Sequence, residues 1–163
     1  MLCFVNLLIV TLVFGLAFAH VLEWPGKLQL NGPAWLTVQQ RLYNAFGPFA
    51  SVAEPLAILL TWVLVIVSRG CRLTFVLTFV AAISVTAGLI VWYLTVAPVN
   101  AVVNGWTSGT LPGNWSAYRD QWELGHAVHA ILFGLAFCTL LAAILAKDPA
   151  IRRNDPNAPR VRD

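Results

Sequence analysis

Four apolar runs, each about as long as a bilayer is thick, limit what this chain can become. They cover residues 2–22, 46–68, 73–98 and 123–146. A helix advances about 1.5 Å per residue, so about 20 mostly apolar residues cross the hydrocarbon. Lipid offers no hydrogen bonds, and each run must therefore satisfy its own backbone as a helix. The expected fold class is all-α. It is an integral membrane four-helix bundle within residues 1–146, with a short amphipathic external helix. The polar tail, 147–163, is expected to be a disordered cytoplasmic segment. Composition agrees. Of 163 residues, 59% are hydrophobic and 10% charged, and the mean hydropathy is +0.76. A soluble domain carries about 25% charged residues. The formal net charge is only +3 and no basic stripe exists, which excludes nucleic acid and leaves the lipid bilayer as partner.

The punctuation between the runs is informative. Ala17-Phe18-Ala19 imitates a signal-peptidase site, but no Lys or Arg precedes the run. It is expected to remain as an uncleaved first span. Pro25-Gly26 is expected to break that helix. Trp35, Leu36, Val38, Leu42 and Tyr43 then recur at roughly helical spacing among Gln39, Gln40 and Arg41. They predict the amphipathic external helix, lying on the membrane surface or capping the bundle. Pro55 is expected to kink or restart the second span. Ser84 and Gly88, four apart, would allow a neighbouring helix to come close. Residues 99–121 form a second external segment, in which 115–122 can begin a helix feeding the last span. Cys3, Cys71 and Cys138 form no C-x-x-C pair, so no disulfide or zinc finger is expected. Cys138, midway along an apolar run, is expected to be buried and inert.

Basic residues set an orientation. Arg69, Arg72, Lys147, Arg152, Arg153, Arg160 and Arg162 fall on one side of such a bundle; Lys27, Arg41 and Arg119 fall on the other. Both termini are then cytoplasmic, in a bacterial inner membrane. Alternating spans bring His20, Glu23, Glu54, Asn100, Asn104, Glu123, His126 and His129 to the outer end. Glu23 and Glu123 can be solvated helix-end charges. Glu54 lies roughly two turns into its span and must be paired, protonated or lining a cavity. We expect His20, Glu54 and His126 to share one cavity as the catalytic set, with Glu54 pointing toward His126. Glu23, Glu123 and His129 would support them, and Lys27 and Arg119 are the nearest external cations. Glu123, His126 and His129 stand at i, i+3 and i+6, a spacing that can place metal ligands on one flank. The candidate metal set is His20, Glu23, Glu54, Glu123, His126 and His129, for a transition metal such as iron or copper. A haem between His20 and His126 or His129, or no cofactor at all, are the other expectations.

The elements His20-Val21-Leu22-Glu23-x-Pro25-x-Lys27, Glu54-Pro55, Pro98-x-Asn100 and Trp115-x-x-x-Arg119-x-x-Trp122-Glu123-x-Gly125-His126 carry a resemblance. Together they resemble the anthrone-oxygenase-like family of small four-span integral membrane proteins, largely a domain of unknown function. The family is named for members that oxidise anthrones to anthraquinones. The resemblance extends over the chain to about Ala146. It implies a four-helix membrane fold and points to oxygen chemistry. It also adds Glu23, Asn100, Arg119 and Trp122 as residues expected to contact a bound cofactor or substrate.

Three functions fit these features. The first is a membrane oxidoreductase or oxygenase acting on a small hydrophobic or aromatic substrate. The second is a transporter, suited by Glu54 beside Pro55, though four spans would then need a homo-oligomer and no inverted repeat is visible. The third is a non-enzymatic membrane scaffold or subunit.

Overall fold

The computed structural model describes residues 1–146, so the tail expected to be disordered lies outside the described residues. Every regular element of the described chain is a helix. α1 is Leu2–Lys27, α2 Gly32–Leu42, α3 Phe46–Val67, α4 Arg72–Val91, α5 Ala97–Val103 and α6 Trp115–Leu145. A π-helical turn, Trp92–Val96, joins α4 to α5, making Arg72–Val103 one helix of 32 residues. This helix, α1, α3 and α6 are each long and apolar enough to cross a membrane. They are compatible with an integral membrane protein.

The four long helices form a closed square. α1 packs on α3 and α6, and α4 packs on the same two from the opposite corner. In α1 the buried positions Asn6, Val10, Val13, Ala17 and His20 recur every three or four residues. The intervening Phe4, Leu8, Leu12, Phe18 and Leu22 face outward. On α1, large apolar side chains therefore face outward, and small or polar ones face the bundle interior. That arrangement suits helices packing in lipid, where leucine gains nothing by turning inward. Val10, Val13, Leu64, Val85, Phe133 and Leu140 make the main core. A second cluster, around Trp35, Leu36, Val96, Val99 and Trp122, lies at the other end.

α2 belongs to that second cluster. Asn31 caps it by accepting from the Ala34 N–H at 3.0 Å, and Pro33 fits its first turn. Trp35 is fully buried beneath it. Gln40 Nε2 donates to the carbonyls of Val103 and Trp106 at 3.0 and 2.9 Å. Of the two placements open to the amphipathic segment, the helix takes the cap over the bundle.

Three expectations change. Pro25-Gly26 does not end the first helix; α1 runs on to Lys27, and the Leu28 N–H bonds the Trp24 carbonyl at 3.0 Å. A proline in a last turn removes one donor and leaves the later N–H groups able to bond. Pro55 does not restart α3, which is continuous with the proline ring on its outer face. Cys138 is exposed on the outside of α6. Its position in an apolar run carried no information about which way the helix turns it.

Ser84 and Gly88 are buried in α4. A Cβ on Gly88 would lie 2.8 Å from Phe133 Cε2 and 3.2 Å from His129 Cδ2. Replacement of Gly88 by Leu should cost about 1–3 kcal/mol through overpacking against α6. Thermal unfolding in detergent measures this, and a melting temperature equal to wild type would put Gly88 on a lipid-facing surface.

Candidate functional site

α1 carries His20, Glu23 and Lys27 in one stripe, because they stand at i, i+3 and i+7. The extra helical turn past Pro25 is what places Lys27 there. Its ammonium is buried, with only 4% of the side chain exposed. It lies 3.2 Å from Glu23 Oε2, 3.3 Å from Glu123 Oε1 and 3.4 Å from His20 Nδ1. It also sits over two aromatic faces, 4.6 Å from the Trp122 ring centroid and 4.9 Å from that of Tyr43. The two rings are stacked at 27°. Two carboxylates, an imidazole and two ring faces therefore enclose one ammonium.

The cage is held from outside. Trp122 Nε1 donates to Asn100 Oδ1 at 2.9 Å, and the Tyr43 hydroxyl donates to Glu23 Oε2 at 2.6 Å. Burial, with Glu23 as acceptor, holds the Tyr43 phenol well above its ordinary range, so it remains a donor. Gly125 lets α6 meet the π-helical turn at Thr95 and Val96, where a Cβ would collide with both side chains. π-turns of this kind widen a helix by one residue and recur at functional sites. Here the turn carries Trp92 and leads directly to Asn100.

Below the cage lies a cavity of about 230 Å³. Val13, Leu16 and Ala17 form its apolar wall, and Asn44, Gly47 and Asn104 line it where the chain is exposed. His20, His126, His129 and Glu54 bring ionisable groups to the same space. Glu54 Oε2 is 3.5 Å from His129 Nε2, an ion-pair distance without hydrogen-bond geometry. His126 Nδ1 and His129 Nδ1 are also buried without a partner. Orphaned polar atoms of this kind are costly in a core and call for a ligand or water. His126 touches His20 and Trp122, with centroids 4.3 and 4.1 Å away.

The expected residues divide into two groups. His20, Glu54, Asn100, Trp122, His126 and His129 line the cavity. Glu23 and Glu123 hold Lys27 instead. Arg119 pairs with Asp120 at 2.9 Å and lies over the Trp115 ring. Glu54 is paired with His129, one turn deeper than the His126 expected, because those two positions face each other across the square. The expected metal set was His20, Glu23, Glu54, Glu123, His126 and His129. Among the described residues, no three His, Cys, Asp or Glu side chains are grouped to hold a metal ion. The protein's own cation, Lys27, stands among Glu23, Glu123 and His20, and Glu54 lies 3.5 Å from His129. Nor does a haem fit between His20 and His126, whose rings are in direct contact. Lys27, expected as an external cation, lies inside the group, and its i, i+4 spacing to Glu23 is the signal for that place. Tyr43, Gln39 and Asn44 reach the cavity from the α2–α3 corner, and no local pattern in the sequence marked them.

Fold and site together define an all-helical protein, compatible with membrane insertion, that keeps an ionisable cavity at one end of its bundle. The chain matches no protein-family model, no curated protein and no solved structure.

Proposed function

We propose that this protein is an integral membrane enzyme that performs acid–base chemistry on a small, planar, hydrophobic molecule. The observation that carries the reading is the cavity itself. Glu54, His126 and His129 line it, each more than nine-tenths buried and each with a polar atom that has no hydrogen-bond partner. A bundle built only for packing would fill this space with apolar side chains, because orphaned polar groups cost about 1–3 kcal/mol each. Trp92, Trp122 and Phe46 supply ring surfaces for a flat molecule. His126 is the group to take a proton from it, and the Glu54–His129 pair the group to hold or return one.

The resemblance to anthrone oxygenases supports a specific reaction. An anthrone's methylene carbon loses two hydrogens and gains one oxygen atom from O₂, and the second oxygen atom leaves as water. Proton removal makes that carbon electron-rich toward O₂, so the chain's own base suffices to start it. The test is oxygen uptake on adding anthrone to the protein in nanodiscs, with anthraquinone followed by absorbance. Uptake above that of empty nanodiscs is expected, with quenching of tryptophan fluorescence from Trp92 and Trp122. Neither uptake nor quenching would end this reading.

Arg69 and Arg72 favour a cytoplasmic α3–α4 turn, which leaves the cavity at the outer end. Single cysteines made by Gly70→Cys and Thr110→Cys, in a background lacking native cysteines, should label from opposite sides of a sealed vesicle. Labelling from the same side would refute this topology.

A further inference from the structure

The ionisable side chains do not stop at the cavity wall. Glu54 Oε2 is 3.5 Å from His129 Nε2, and the His129 and His126 rings are 6.4 Å apart. His126 then touches His20 at 4.3 Å, and His20 Nδ1 is 3.6 Å from Glu23 Oε2. The four inner residues are each at most 8% exposed, whereas the Glu23 side chain is 44% exposed. The row therefore starts on α3, crosses α6 and reaches the surface on α1. Its widest step, His129 to His126, borders the cavity that both rings line. A bridging water needs only about 10–15 Å³ of such space and two or more polar partners. The unpartnered nitrogens of both rings provide these.

Other charged or titratable groups face this row. Lys27 contacts His20 and Glu23, Glu123 contacts Lys27, and the Tyr43 hydroxyl is bonded to Glu23. α4 contributes Gly88, beside His129. The half-exposed end is thus tied to a fixed cation, and the buried end is the Glu54–His129 pair.

We propose that this row is a proton path joining Glu54 to the aqueous face at Glu23. One proton leaves the Glu54 carboxyl for His129 Nε2. It passes through a bridging water and His126 to His20, and arrives on the Glu23 carboxylate. Each imidazole takes a proton on one nitrogen and gives one from the other, so each ring ends neutral in its other tautomer, a ring rotation restores the first, and no electrons move. The path rests on the acid–base reading for its use. A molecule filling the cavity blocks the mouth at Asn44 and Gly47, and this row remains as the exit for its proton.

The test reads the Glu54 carboxyl itself, not turnover, so it is independent of any substrate. In nanodiscs, a rapid pH change is followed by infrared absorption of the carboxyl stretch, assigned as the band missing from Glu54→Gln. His20→Phe keeps a ring against His126 but offers no nitrogen, and Glu23→Gln removes the exit. Each is expected to slow proton exchange at Glu54 about tenfold or more relative to wild type. Each variant's melting profile shows whether it is folded, and either folded variant decides the question. Exchange at the wild-type rate would overturn the proposal and assign the cavity mouth as the route. A wild-type band that does not respond to pH would also overturn it. Absence of oxygen uptake with anthrone leaves this measurement unchanged and bears on the reaction alone.

Discussion

Lys27→Met is expected to destabilise the bundle by about 3–5 kcal/mol, the usual consequence of removing one partner from a buried ion pair. The methionine keeps the apolar stem that packs beside Tyr43 and Trp122, so the loss reports the charge. Two carboxylates depend on that ammonium, and they do not count equally. Glu23 is 44% exposed and water can replace its partner. Glu123 is 1% exposed, and without Lys27 its nearest cation is gone. The Glu123 contact therefore dominates. The double variant Lys27→Met/Glu123→Gln should recover most of the stability, because a neutral amide in the same shape leaves no buried charge behind. Denaturant unfolding in detergent measures both proteins. A single variant as stable as wild type, or a double variant no better than the single, would show that the cage does not hold α1 to α6.

In the activity proposed here, His126→Ala should lower oxygen uptake with anthrone about 10²–10⁴-fold, the range for losing a general base. That corresponds to about 2.7–5.4 kcal/mol of barrier, at about 1.36 kcal/mol per decade. Glu54→Gln should fall in the same range with less structural disturbance, since it keeps the size and the hydrogen-bonding outline of the side chain. The two residues lie on different helices, and His129 stands between them in the cavity. A binding pocket without catalysis would show intact quenching of tryptophan fluorescence in both variants and no change in a slow background rate. A loss of less than about threefold in either variant would remove that residue from the chemistry.

The spans were legible because length and apolar content are local properties, and lipid imposes them on each segment separately. Glu54 was legible for a related reason: a carboxylate well inside a span has few explanations. Other features depended on a single uncertain turn. Reading Pro25 as a break places Lys27 outside the bundle, whereas the structure sets it at the centre of the Glu23, Glu123 and His20 group. One further turn of helix reverses that reading. Gln39, Tyr43 and Asn44 reach the cavity only because α2 folds over the bundle end, bonded through Gln40 to Val103 and Trp106.

By itself the sequence determined four apolar helices, a polar end and the residue types gathered there. Tertiary structure alone decided the pairing: Glu54 with His129 instead of His126, Lys27 among the acids, and Cys138 turned outward. The physical reason is rotational. Helical spacing tells which residues share a face, but the phase of each helix about its own axis is set by what it packs against. Gly88 beneath His129 and Phe133, and Gly125 against Thr95 and Val96, are the contacts through which α4 and the π-helical turn seat α6 at this end.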